Sequence, residues 1–232
     1  MIVVIGGMYR SGSTFSFNVV RELLASDGPV MTRASDSILP CAPENGAKHL
    51  IVKSHAPDAL CDDMIRLGAV RCICTFRRPE DAIASWMHAF GHDLAATIEL
   101  MRGWLSWHAR AAAHCLNVRY DDIDRRPLRV ILHIERWLLG GVRPLAALRL
   151  RRAYDKRKLM DAYGRLERSA AVRDIGFSYY DPTTFFHRHH VSSAKSRRAS
   201  EVLAEEDVLR IRSALASYVD ANGDYRLPAT SG

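Results

Sequence analysis

Three short apolar runs in this chain each end in residues that handle anions or protons. The first, Ile2-Val3-Val4-Ile5, leads into Gly6-Gly7-Met8-Tyr9-Arg10-Ser11-Gly12-Ser13-Thr14-Phe15. Gly7, Gly12 and Thr14 fit the phosphate-binding form G-x-x-x-x-G-K-[ST], but Ser13 stands at the lysine position. In a nucleoside-triphosphatase loop that lysine reaches the β- and γ-phosphates. Here the cation in the loop is Arg10, so the pattern points to phosphates other than those of a triphosphate. Glycines let backbone N–H groups turn toward an anion, and the N-terminus of the next helix adds partial positive charge. Ser11, Ser13 and Thr14 add hydroxyl donors.

The second run ends in Ile51-Val52-Lys53-Ser54-His55-Ala56-Pro57. The third, Val70-Arg71-Cys72-Ile73-Cys74-Thr75-Phe76, leads into Arg77-Arg78-Pro79-Glu80-Asp81-Ala82-Ile83-Ala84-Ser85. Each cluster follows a run that reads as a buried strand. A doubly wound sheet binds its ligand at such carboxyl ends.

On these residues the chain resembles the sulfotransferases that use 3′-phosphoadenosine 5′-phosphosulfate (PAPS), bacterial members included. Residues 10–14 are similar to that family's P-[KR]-S-G-[ST]-T loop, and residues 53–57 to its K-T-H-L-P segment. Residues 77–85 are similar to its R-D-P-R-D-x-x-x-S segment, with Arg77 and Ser85 at the family's spacing. Val118-Arg119-Tyr120-Asp121-Asp122 is similar to a Y-E-D segment. His189-His190-Val191-Ser192-Ser193-Ala194-Lys195 is similar to a nucleotide-closing loop of bacterial members. The likeness covers most of residues 1–125 and a patch near 185–205. The chain departs from the family at Tyr9, where many members have Pro, and at Phe15, where cytosolic members have Trp. The family's Arg-Lys-Gly near the C-terminus is not cleanly present, which leaves Lys195, Arg197 and Arg198 as candidates for its role. The interval from Thr14 to Lys53 is short, so acceptor identity does not carry over.

The resemblance implies a P-loop-type three-layer α/β/α fold with a central parallel sheet. It implies transfer of a sulfuryl group from PAPS to a hydroxyl or amine of a small-molecule or glycan acceptor. His55 is then the general base, and an imidazole of ordinary pKa, about 6.5, is largely neutral at pH 7. Lys53 and Arg10 stabilise charge on the bridging oxygen and the 5′-phosphate. Arg10, Ser11, Gly12, Ser13, Thr14, Phe15, Arg77, Ser85, Tyr120, Ser192, Ser193 and Lys195 hold the nucleotide, Phe15 by stacking on adenine. No metal is required, because Arg and Lys meet the donor's charge. The cluster His187-Arg188-His189-His190 has irregular spacing for a metal site and only Asp181 as a nearby carboxylate.

At 232 residues the chain is expected to form one domain with a sizeable core. No apolar run approaches the ~18 residues of a membrane span. Residues 1–7 lack the basic region and apolar length of a signal peptide. The five cysteines are an odd count without framework spacing, and Cys72 and Cys74 read as core. A cytoplasmic location is expected. The net charge of +7 leaves room for a polyanion, and much of the excess lies at 143–173 and 195–198. Nucleic acid is not the expected partner, and the sequence leaves the oligomeric state open.

Strands are expected at 2–6, 49–54, 69–76 and 116–120, and helices at 13–26, 57–66, 79–90, 93–115, 125–139, 144–171 and 199–220. Asp124 is the expected cap of the 125–139 helix, and Gly140-Gly141 its stop. Such alternation means a parallel sheet with helices on both faces. Residues 181–198 are expected to close over bound nucleotide, the alternative being an ordered loop docked through Phe185 and Phe186. Two rival functions remain: a P-loop small-molecule kinase, which needs Mg²⁺ and a lysine before Thr14, and a non-catalytic polyanion binder.

Overall fold

The computed structural model describes residues 1–41, 46–164, 173–174, 179–187 and 196–228. Five strands form one sheet: β1 (Ile2–Gly6), β2 (Val30–Ala34), β3 (His49–Ser54), β4 (Arg71–Phe76) and β5 (Cys115–Arg119). Their order is β2-β3-β1-β4-β5, and every pairing is parallel. Parallel strands are covered on both faces, which explains why β1, β3 and β4 read as unbroken apolar runs. Alternate side chains go to opposite layers. Val3, Ile5, Ile51 and Ile73 pack on one face, and Val4, Leu50, Val52 and Cys72 on the other.

The first face is covered by α1 (Ser13–Ala25) and α6 (Pro127–Leu139), which contribute Phe17, Val20, Leu24, Ile131, Ile134 and Leu138. The second is covered by α2 (Ala59–Arg66), α3 (Pro79–Phe90) and α4 (Leu94–Ala111), with Trp104 and Met101 fully buried. The expected three-layer α/β/α architecture is therefore present. The chain leaves β1 toward β2 and β3 on one side, then crosses to β4 and β5 on the other. The ends of β1, β3 and β4 meet at this reversal, where such sheets have their ligand crevice.

Several boundaries differ from expectation. The edge strand β2 was not expected, because Val30-Met31-Thr32-Arg33-Ala34 is short, half-exposed and without a distinct apolar period. Tyr120 does not end β5 but opens a short helix, α5 (Tyr120–Arg125). Asp124 consequently lies inside α5 and caps nothing. Pro127, with its fixed φ, starts α6 without a side-chain cap. The basic stretch after residue 144 breaks at Tyr154-Asp155 into α7 (Pro144–Ala153) and α8 (Lys156–Gly164). The expected 199–220 helix is a single turn at Ala199–Glu201 followed by α9 (Glu205–Ala214). Two carboxylates at the start of α3 fix this region. Asp81 accepts from the Ala199 N–H (2.7 Å) and Arg198 (3.0 Å), and Glu80 pairs with Arg212 (2.7 Å) and Arg78 (2.8 Å).

The α6–α7 turn is held by a fully buried carboxylate. Glu135 accepts from Arg143 Nε (2.7 Å) and from the Arg143 backbone N–H (3.0 Å). Removing one partner strands the other in a medium that penalises an unpaired charge. Arg143→Ala is expected to lower stability by about 3 kcal/mol in urea unfolding, and more than Glu135→Leu does. The reverse order would show that the pair does not hold the turn.

Candidate functional site

The loop after β1 is shaped by close approach. A Cβ on Gly7 would lie 2.3 Å from Ser13 Cβ and 2.7 Å from Thr75 Oγ1. Gly12, at φ 85°, sits in the left-handed region just before α1 and so swings the chain into the helix. Arg10 also has positive φ, 60°, a conformation rare for a residue with a Cβ. The Met8 N–H is held by the Thr75 carbonyl at 2.8 Å, which ties the loop to the end of β4. The Ser11 hydroxyl, expected to donate to an anion, turns inward instead. It is fully buried and donates toward Met8 O (2.6 Å) and Thr75 O (2.9 Å), with Thr75 Oγ1 at 2.7 Å. Ser11 is thus a brace of the loop, with its hydroxyl proton already directed to backbone carbonyls.

Three cations converge on this loop. Lys53, at the end of β3, donates to Thr14 Oγ1 at 3.0 Å. Burial, with Arg10 nearby, lowers its pKa to about 8. Arg10 donates from Nε to Ser85 Oγ at 3.0 Å and lies over the Phe90 ring. Burial, then Arg77, lowers Arg10 to about 10. Arg77 lies 4.7 Å over the Tyr120 ring and donates to the Arg197 carbonyl at 2.9 Å. Among the described residues none of the three forms an ion pair. Arg77 is not taken up by Glu80 or Asp81, which bind Arg78, Arg198 and Arg212. Arg77 and Ser85 share the cleft, but the direct partner of Ser85 is Arg10.

His55 follows β3. Its Nδ1 lies 2.5 Å from the Gly7 carbonyl, and a carbonyl only accepts, so Nδ1 carries the proton. The neutral ring therefore keeps its lone pair on Nε2. Tyr9 stacks on the imidazole with ring centroids 4.4 Å apart, and Trp86 meets Tyr9 edge-on. Burial, then Lys53, lowers His55 to about 4. Asp36 acts in the opposite sense and is itself fixed by Ser54 Oγ (2.7 Å) and the Ala56 N–H (3.2 Å).

These groups line one cleft of about 530 Å³, a size that suits a nucleotide-sized ligand. Arg10, Gly12, Ser13, Thr14, Phe15, Lys53, His55, Arg77, Ser85 and Tyr120 all reach it. Sequence reasoning missed several neighbours. Trp86 and Phe90 form an aromatic wall near His55, and only their place beside Ser85 in α3 signalled them. Tyr154 meets Phe15 edge-on, 6.4 Å between centroids. Lys156 reaches the cleft while bound to Asp124 (2.8 Å), and Ser196 links Asp124 to Tyr120. Of the C-terminal candidates, Arg198 is held by Asp81, whereas Arg197 lines the cleft. Ser192, Ser193, Lys195, His189 and His190 lie outside the described residues. The start of the expected closing segment is docked. Phe185 is buried against Phe17, and Asn18 Nδ2 donates to the Thr184 carbonyl at 2.8 Å.

No protein-family model matches the sequence, and no curated protein does. Solved structures share the fold. Retinol dehydratase in complex with retinol and PAP is similar at TM-score 0.66 and 16% identity, over 93% of this chain and 80% of that one. The same enzyme with androsterone and the inactive cofactor PAP gives 0.65 and 15%, over 93% and 80%. Mouse sulfotransferase SULT7A1 complexed with PAP gives 0.64 and 11%, over 93% and 83%. No helix among the described residues is long and apolar enough to cross a membrane.

The depressed pKa of His55 has a consequence for stability. Between its ordinary 6.5 and about 4, the unfolded chain binds a proton that the folded chain refuses. Stability is therefore full above pH 6.5 and is lost as pH falls toward 4. The melting temperature should drop across this window, and His55→Gln should flatten that part of the curve. Identical profiles for the two proteins would mean that His55 is protonated as readily folded as unfolded.

Proposed function

We propose that the protein is a PAPS-dependent sulfotransferase acting on a hydroxyl or amine of a small molecule or glycan. The observation that carries this reading is the Lys53–Thr14 contact. In a Mg²⁺-dependent nucleotide loop the threonine hydroxyl serves the metal. Here a lysine ammonium from the next strand sits on that hydroxyl, so cationic charge already stands where Mg²⁺ would. This favours a metal-free phosphosulfate donor over ATP–Mg²⁺. The fold likeness to proteins crystallised with PAP supports the same choice.

In this reading the loop N–H groups, Ser13, Thr14 and Lys53 hold the 5′-phosphate, and Phe15 with Tyr154 flanks the base. Arg77, Ser85 and Arg197 face the 3′-phosphate, with Tyr120 and Ser196 behind them. Ser192, Ser193 and Lys195 are proposed to close over the nucleotide. The acceptor lies against Tyr9, Trp86 and Phe90. Its oxygen or nitrogen attacks sulfur, the bond from sulfur to the 5′-phosphate oxygen breaks, and His55 Nε2 takes the acceptor proton. Arg10 and Lys53 stabilise the charge left on the phosphate. A free imidazole at about 4 is a weak base. A bound anion beside Lys53 offsets the lysine's repulsion and raises His55 toward the working pH.

Adenosine 3′,5′-bisphosphate without Mg²⁺ is expected to raise the melting temperature far more than ATP–Mg²⁺ does. Saturation at 100 times the dissociation constant corresponds to about 2.7 kcal/mol. Stronger, Mg²⁺-dependent stabilisation by ATP would instead favour the kinase.

The two ends of the cleft separate by mutation. His55→Ala should reduce turnover of donor by roughly 10²–10⁴-fold while leaving bisphosphate affinity nearly unchanged. Arg77→Ala should mainly weaken the bisphosphate, by roughly tenfold or more, as lost charge-assisted hydrogen bonds imply. Calorimetry beside a donor-turnover assay reads both. Wild-type turnover in His55→Ala would overturn the base assignment.

A further inference from the structure

Three thiols meet on one face of the sheet, and none of them lines the cleft described above. Cys72 and Cys74 are two residues apart on β4 and face the same side, and Cys115 on β5 is the register partner of Cys72. The three Sγ atoms all lie within 4.8 Å of one another, and Cys72 and Cys74 are 3.8 Å apart. Cys72 and Cys74 are fully buried, while Cys115 is half-buried and gives the cluster its only route to solvent among the three. A pair of thiols at this spacing is a core contact. Three converging on one point form a donor set for a soft ion.

We propose that Cys72, Cys74 and Cys115 form a site for a trivalent thiophilic metalloid of the arsenite class. Charge selects the ligand. The cluster belongs to the core that also holds Trp104, Leu105 and Trp107, Cys115 Sγ donates to the Ala111 carbonyl at 3.2 Å, and its nearby basic groups are the imidazoles of His108 and His114. Both His108 nitrogens are engaged, Nδ1 with Tyr225 (2.8 Å) and Nε2 with Asn117 (2.7 Å), so the ring is no fourth ligand. Three thiolates around a monovalent ion leave a net charge of −2 in an apolar core, and around a divalent ion −1. Around a trivalent centre they leave none, so the complex avoids the cost of a buried net charge. The reaction balances without redox change: As(OH)₃ and three Cys–SH give As(S–Cys)₃ and three waters, with arsenic at +3 throughout. The site lies beside the nucleotide loop. A Cβ on Gly6 would lie 3.4 Å from Cys74 Sγ, and Thr75, the next residue, braces Met8 and Ser11.

The test titrates the reduced full-length chain with arsenite and, in separate arms, with zinc and monovalent copper. Mass spectrometry under native conditions is expected to find one arsenic per chain with three protons lost. X-ray absorption should show three sulfur neighbours. Removing one of three tethered donors removes an effective concentration worth roughly 10²–10⁴ in affinity. Cys115→Ser, at the half-buried position least able to disturb folding, should lose that factor, as should Cys74→Ser. Cys41→Ser and Cys61→Ser should bind as the parent does. The proposal is overturned if Cys115→Ser binds arsenite as tightly as the parent, if fewer than three sulfurs surround arsenic, or if zinc or copper binds more tightly than arsenite. The melting temperature of each variant, measured without ligand, separates a lost ligand from a lost fold.

Discussion

Arg10, Lys53 and Arg77 are held at the carboxyl edge of the sheet with no carboxylate among the described residues paired to any of them. Much of the site follows from this constraint. Lys53 and Arg77 are almost wholly removed from water, and burial with mutual repulsion pulls Lys53 down to about 8 and Arg10 to about 10. Such a cluster is costly in the free protein and is relieved by an anion with several negative oxygens. The acidic groups that follow Arg77 in the chain are diverted. Glu80 and Asp81 start α3, yet they bind Arg78, Arg198 and Arg212 and use their charge to pin α9 and the turn at residue 199. The positive field of the cleft therefore survives beside two buried carboxylates.

The same arrangement couples parts of the chain that are far apart in sequence. Thr75 at the end of β4 braces Met8 and Ser11, Lys53 from β3 reaches Thr14 in α1, and Ser85 in α3 receives Arg10. Each contact joins a neighbouring strand, or the helix that follows it, to the β1 loop or the first turn of α1. Displacing one strand would misplace donors on the others, which is how a rigid sheet pre-organises a binding site. His55 belongs to this frame through the Gly7 carbonyl, which sets its tautomer, and Tyr9, which sets its plane.

Much of the architecture was legible because parallel strands buried on both faces are written as apolar runs. β1, β3 and β4 read correctly, and so did the helices that start at Pro79 and Ser13. β2 escaped because an edge strand needs only one neighbour and tolerates Thr32 and Arg33. The split between α7 and α8 escaped because a basic, half-exposed stretch carries little apolar period to show where it breaks. Asp124 was read as a cap on local grounds. Its actual partners, Lys156 and Ser196, lie 32 and 72 residues away.

The sequence by itself determined which residue types gather at strand ends: a glycine loop without its lysine, a Lys-x-His pair and an arginine eight residues before a serine. Those are local facts of composition and spacing. Only the tertiary structure decided what each side chain does with its hydrogen bonds. Ser11 turns inward and Thr14 takes up Lys53. Ser85 receives Arg10, and three cysteines from two strands converge on one point. These outcomes depend on which strands become neighbours. Parallel neighbours are set by crossovers over the whole sheet, and no local pattern of residues encodes that order.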